Sequence, residues 1–182
     1  MKFTPLALPE VLLIEPRVFA DDRGAFFESF NAVAFAAAAG RETAFIQDNH
    51  SVSRRGVVRG LHYQLPPHAQ GKIVRTVAGE IFDVAVDIRR SSPSFGHWVG
   101  EVLSAQNRRQ LWVPPGFAHG FMALSEATEV VYKTTTLYVP ASERSIRWDD
   151  ATIGIDWPAG VAPVLSAKDA AAPPFADAEM FA

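Results

Sequence analysis

Six short apolar runs follow one another from residue 72 onward, each closed by turn residues before it reaches helical length: 72–78, 81–88, 99–104, 110–113, 117–124 and 129–139. They are rich in Val, Ile and Phe, which fit a pleated, half-buried surface. Ala78-Gly79-Glu80, Asn107-Arg108 and Pro114-Pro115-Gly116 punctuate them, and the first of these reads as a hairpin. Within 81–88, Phe82, Val84, Val86 and Ile88 share one strand face and Asp83 and Asp87 the other. The run 129–139 is the longest strand candidate. On an ideal strand Tyr132 and Tyr138 would point the same way, about 20 Å apart at roughly 3.3 Å per residue. Many short strands with close turn signals and little helix predict an all-β chain, an antiparallel sandwich or barrel.

The N-terminal part continues this pattern. Residues 11–19 read as a short strand interrupted by Pro16, Asp21-Asp22-Arg23-Gly24 as a turn, and 26–30 as a second strand. The helix expected here is short: Asn31 caps an Ala-rich run that Gly40 stops. Residues 45–53 form a polar strand with Phe45, Gln47 and Asn49 on one face. Two amides on one face need partners, either core hydrogen bonds or a bound sugar. From Pro140 the chain carries Trp148 and Trp157 and then an Ala/Pro-rich tail, read as an irregular C-terminal segment. No repeat or linker divides the 182 residues, so one domain over 1–182 is expected, long enough to bury a core.

Against this background one window stands apart. Between Asp48 and Glu80 there is no acid, while Arg54, Arg55, Arg59, Lys72 and Arg75 supply positive charge in a chain whose formal charge is −3. The same window holds His62, Gln64 and His68. Uncompensated cations around a titratable His suit an anionic ligand whose chemistry needs a base near neutral pH; a solvated basic loop with one core histidine is the plainer alternative. Arg outnumbers Lys 13 to 4, which favours bidentate recognition of phosphate or carboxylate, although codon bias gives the same ratio. The absence of cysteine excludes disulfides and thiolate metal sites. No apolar run approaches membrane-spanning length and the N-terminus lacks a signal-peptide layout. A cytoplasmic protein is expected, with neither a membrane nor a nucleic acid as partner.

Several stretches together carry a resemblance: Arg59-Gly60-Leu61-His62-Tyr63-Gln64, Gln70-Gly71-Lys72, the run from Gly79 to Asp87, Pro115-Gly116-Phe117-Ala118-His119-Gly120-Phe121, Tyr132-Lys133-Thr134 and Leu165-Ser166-Ala167-Lys168-Asp169. In this order they resemble the dTDP-4-dehydrorhamnose 3,5-epimerase family, from about Pro9 to Asp169. The resemblance implies a cupin-like antiparallel jelly roll, a homodimer, no cofactor, and inversion of the two carbons beside the ketone of a dTDP-linked 4-keto-6-deoxy sugar. It further implies His62 as base, Asp169 as its carboxylate partner, Lys72 at the ketone oxygen and Tyr132 as the opposing acid. Arg23, Arg59 and Lys168 match positions that hold the nucleotide diphosphate, with Phe26, Glu28, Gln47, Asn49, His119, Tyr138 and Glu143 as further substrate contacts.

Two features qualify the picture. Metal-binding cupins resemble a His-x-His pair, a following Glu and a later His; here the pair is His62-Tyr63-Gln64. A transition metal wants about three imidazole or carboxylate ligands, so no metal is expected. A metal-dependent cupin enzyme, a single-carbon epimerase and a non-catalytic nucleotide-sugar binder remain the alternatives. Arg59 and His62 also have opposite parity, so a regular strand would send them to opposite faces. A bulge at Gly60 would re-aim one of them.

Overall fold

The apolar runs become strands of two antiparallel sheets in the computed structural model, which describes residues 1–182. In chain order the strands are β1 (Lys2–Pro5), β2 (Leu12–Glu15), β3 (Val18–Asp21), β4 (Gly24–Phe27), β5 (Gln47–Ser53), β6 (Val58–Gln64) and β7 (Lys72–Ala78). They continue with β8 (Glu80–Asp87), β9 (Trp98–Ser104), β10 (Gln110–Val113), β11 (Phe117–Ala123), β12 (Thr128–Thr134) and β13 (Glu143–Ser145). One sheet has the order β1-β2-β10-β7-β12-β5, the other β13-β6-β11-β8-β9, and β3-β4 stand apart as a hairpin. This is the expected all-β sandwich. Two helices, α1 (Ala32–Ala39) and α2 (Ala167–Ala170), complete it.

The turn chemistry is legible at both ends of α1. Asn31 accepts a hydrogen bond from the Ala34 N–H, and Gly40 closes the helix in the left-handed region. A cap of this kind stabilises a helix by about 1 kcal/mol. The apolar side of α1 seats Phe35 edge-on against Trp112, 5.0 Å between ring centroids, over the outer face of the first sheet. Pro16 separates β2 from β3 as expected, and the second strand ends at Phe27 rather than at residue 30.

Two expectations are corrected. Ala78-Gly79-Glu80 does not close a hairpin: β7 lies in one sheet and β8 in the other. Gly79, at φ +73°, turns the chain across the sandwich where a side chain would collide with Ser125 and Ala127. The final long strand stops at Thr134, short of residue 139. Beyond it, carbonyls and amides bond to side chains instead of a ladder: Gln70 Nε2 donates to the Thr136 carbonyl and the Tyr138 N–H donates to Gln47 Oε1. Such side-chain partners compete with sheet pairing.

The space between the sheets is filled by Val74, Ile81, Ala85, Leu103, Leu111, Phe121 and Val130. The outer face of the second sheet is covered as well. The C-terminal segment lays Ile146, Ile153, Phe175 and Ala178 over Leu61, Val84, Val86 and Ile88. The irregular tail is thus a packed layer. With the apolar face of β8 taken by this layer, its acids Asp83 and Asp87 are both fully buried.

Candidate active site

β6 and β11 run side by side with His62 opposite His119. Between that pair and the next, Arg59 opposite Phe121, β6 spends one residue more than β11. The extra residue is a β-bulge, and it removes the parity conflict: Arg59 and His62 line the same cavity. Gly60 sits at φ +121°, and a Cβ there would come within 2.6 Å of the Gly120 Cα and the His119 carbonyl. Only glycine permits so close an approach with that backbone.

The cavity holds about 330 Å³ and is lined by Ser51, Arg59, His62, Lys72, His119, Phe121, Tyr132, Ser166, Lys168 and Asp169. Its walls come from different layers: His62 and His119 from the second sheet, Lys72 and Tyr132 from the first. Asp169 arrives from α2. His62 Nε2 lies 2.5 Å from Asp169 Oδ1, and Ser166 Oγ donates to Asp169 Oδ2 at 2.7 Å. Burial alone would raise the Asp169 carboxyl, but the bonds from His62 and Ser166 and the Gly60 N–H outweigh it and hold the value below the ordinary one. Asp169 therefore stands ionised. It fixes the imidazole with Nε2 toward itself and leaves Nδ1 for another partner.

Lys72 is buried, and burial pulls its ammonium down to about 8 against the opposing pull of Asp83 and Glu143. Its Nζ reaches the His62 carbonyl at 3.4 Å. Tyr132 is held above the usual phenol value by burial, with Arg59 opposing and Glu143 reinforcing the shift. At neutral pH the cavity thus presents an ammonium and an intact phenol beside a carboxylate-backed imidazole. Arg59 is braced by Ser53 Oγ at 3.1 Å and the Val52 carbonyl at 3.2 Å.

The remaining expected residues fall in two places. Tyr138 and Glu143 form the rim through Lys168: Tyr138 Oη donates to Glu143 Oε2 at 2.7 Å, and Lys168 Nζ bridges to the same oxygen at 2.6 Å. Gln47 and Asn49 bond each other, Nε2 to Oδ1 at 2.8 Å. Arg23 and Phe26 lie elsewhere, around a depression on the β3-β4 hairpin, with Arg23 paired to Asp21 at 2.7 Å. Glu28 follows that hairpin and bonds Asn31. Within one chain these three do not join the cavity.

Gln64, at the second ligand position of a metal cupin, is committed to backbone: its amide donates to the His68 and Leu137 carbonyls and accepts from the Val139 N–H. No three His, Asp or Glu side chains gather as a metal-holding group. Sequence reading missed Ser51, Phe121, Ser166 and Asp83. Ser166 had a signal, since Ser-x-x-Asp is a capping pattern, and it does accept from the Asp169 N–H.

Comparison with known proteins decides the lineage. The family model described as dTDP-4-dehydrorhamnose 3,5-epimerase matches residues 5–177. The chain belongs to the dTDP-4-dehydrorhamnose 3,5-epimerase family, a family of isomerases. The Pseudomonas aeruginosa enzyme of that name is 60% identical over 181 residues, spanning 100% of this chain and 99% of its own. A Legionella pneumophila epimerase, solved with dTDP-4-keto-L-rhamnose, superposes with a TM-score of 0.93 at 49% identity, covering 96% of this chain and 93% of that one. A 3'-monoepimerase from Streptomyces bikiniensis, solved with dTDP-quinovose, also shares the fold, with a TM-score of 0.90 at 35% identity and coverage of 94% and 87%. No helix here is long and apolar enough to cross a membrane.

Proposed function

We propose that the protein epimerises dTDP-4-dehydro-6-deoxy-D-glucose at C3 and C5 to dTDP-4-dehydro-L-rhamnose, serving L-rhamnose synthesis in the cytoplasm without a cofactor. One observation carries the reading: a carboxylate-backed imidazole and a neutral phenol face one cavity from opposite sheets, with a buried ammonium between the layers. Inversion needs that arrangement. A hydrogen beside a ketone leaves only if a positioned base takes it and the enolate oxygen is stabilised. His62 Nδ1 takes the proton, Lys72 holds the developing charge, and Tyr132 returns a proton to the other face.

Arg59 and Lys168 hold the diphosphate, with His119, Glu143 and Tyr138 toward the sugar and base. A homodimer accounts for the hairpin. β3-β4 leaves Phe19 and Phe26 at 52% and 72% exposure, and a lone two-stranded ribbon is marginal without a surface to pack on. Docked on a second subunit, it brings Arg23, Phe26 and Glu28 toward the partner's nucleotide.

Proton NMR of the keto-sugar nucleotide with the protein in D2O tests the reaction. Deuterium should enter at C3 and at C5, with inversion at each. Exchange at one carbon alone would make it a monoepimerase, and exchange at neither a binding protein.

A further inference from the structure

Outside the cavity, one buried carboxylate ties together the two stretches of chain on which the His62–Asp169 pair is mounted. Asp150 Oδ1 accepts from the N–H groups of Thr152 at 2.9 Å and Ile153 at 3.4 Å, and its Oδ2 accepts from the Phe175 N–H at 2.8 Å. The side chain makes no contact with the cavity.

Its place in the chain gives these bonds their meaning. On one side, Leu61 and Ile146 exchange backbone hydrogen bonds, 3.1 and 3.0 Å, right beside His62. The segment that runs on to Asp150 is therefore fastened to the strand that carries the base. On the other side, α2 sits on an arch whose first foot is the Val164 pairing with Gly56 and Val58. Its second foot is at Pro173 and Phe175, where the Arg147 N–H meets the Pro173 carbonyl and Asp150 meets Phe175. The Phe175 ring is buried against Phe95, 5.1 Å between centroids. Pro173-Pro174 is part of this foot, four residues beyond Asp169, and proline's fixed φ makes it stiff.

We propose that Asp150 is a positioning residue for the catalytic pair. It closes a loop that runs from His62 through Leu61, Ile146, Asp150, Phe175 and the two prolines to Asp169, and the 2.5 Å contact completes the loop. This rests on the reading of His62 as the base. An asparagine at 150 keeps the size but has one carbonyl oxygen. It satisfies one limb and turns its NH2 toward an N–H of the other, leaving a buried donor unpaired. The Phe175 side of the foot then loosens while the Arg147–Pro173 bond remains, and a displacement of about 1 Å at a reacting group lowers rate by up to about a hundredfold.

The test is Asp150→Asn, read in three ways. First, a short imidazole-to-carboxylate bond gives a far-downfield N–H proton resonance, assigned by its loss in Asp169→Asn; it should broaden or move upfield. Second, kcat should fall about tenfold to a hundredfold, with dTDP affinity little changed, since Arg59 is braced on β5. Third, Asp150→Asn should add nothing to Asp169→Asn, because the two act as a unit. A folded Asp150→Asn that keeps the resonance overturns the proposal, and so does a parallel loss of dTDP binding, which marks mere loosening. Should that variant fail to fold, Pro173→Ala with Pro174→Ala softens the same loop with the carboxylate intact. Loss of the resonance there supports the loop, and its persistence overturns it. The resonance is independent of turnover, so the loop and the assigned chemistry fail separately.

Discussion

Two histidines of the cavity, on neighbouring strands, each pair with a carboxylate, and the two pairs differ in everything but composition. His62 is 27% exposed and its partner Asp169 is recruited from 107 residues away. His119 is 7% exposed and its partner Asp83, on the adjacent strand β8, is fully buried, with Nε2 to Oδ1 at 2.7 Å. Burial pushes the His119 imidazole below its ordinary value, helped by Lys72 and His62 and opposed by Asp83. A histidine so placed stays neutral and does not trade protons with solvent. The more open pair, whose carboxylate has both oxygens engaged, keeps its imidazole on the wall of the cavity. Access to solvent and substrate, rather than the presence of a carboxylate, separates a base from an orienting group.

His62→Asn should produce the largest effect. Removal of a positioned base lowers rate by typically 10²–10⁴-fold, so deuterium exchange at both carbons should vanish while dTDP still binds through Arg59. Exchange at the wild-type rate at either carbon would take the role of base away from His62 and undo the contrast.

Lys72 lies between the pairs and feels both. Its ammonium titrates at about 8. The sign follows directly: below that value the charge is present to stabilise the proposed enolate, and above it the charge is lost. The pH profile of kcat should therefore fall on the alkaline side near 8. Burial keeps Tyr132 above the usual phenol value, so the acid is still protonated there and the limb belongs to Lys72. Lys72→Gln should remove that limb and lower kcat by about 10²–10³-fold, the range for one oxyanion donor. A limb unchanged in the variant would assign it elsewhere.

Tyr132→Phe sharpens the contrast from the opposite wall. The ring remains, so strand packing changes little, and the base and ammonium are intact. Deuterium should wash into the substrate while inversion falls by about 10²-fold, the low end for a general acid. The enolate recaptures hydrogen from the His62 side and keeps its configuration. Wild-type inversion in this variant would place the acid at another residue.

What could be read from sequence follows the same division between local and distant. The strand runs, the Asn31 and Gly40 helix ends and the need for a bulge at Gly60 were legible because they depend on neighbours. The fate of Gly79 was not: a turn between apolar runs looks alike whether the strands pair or cross the sandwich. The Ala/Pro-rich tail read as irregular because its order comes from packing on the second sheet, which no periodicity reports. Asp83 stood on the polar side of its strand, and sequence had no means to show that this side faces inward.

The smallest effect should come from His119→Asn, which tests the buried pair directly. Asparagine retains an amide that can donate to Asp83 Oδ1, so the acid keeps a partner and the interior is not left with an uncompensated charge. What is lost is the second ring nitrogen, on the proposed reading one acceptor toward the sugar. A single hydrogen bond is worth about 1.4 kcal/mol or less, roughly tenfold, so kcat/KM should fall by about that factor at every pH. The shape of the profile is the discriminating feature. If His119 orients, the acid and alkaline limbs stay where they are. A limb that disappears in His119→Asn would mean that this imidazole exchanges protons during turnover, despite its burial. One further detail makes Asp83 the harsher site to alter. Its Oδ2 is buried without a hydrogen-bond partner, its Oδ1 is held by His119, and the carboxylate opposes the downward pull of burial on Lys72. Asp83→Asn removes that balancing anion from beside Lys72, which lowers the ammonium further and moves the alkaline limb to lower pH, an effect His119→Asn should not reproduce.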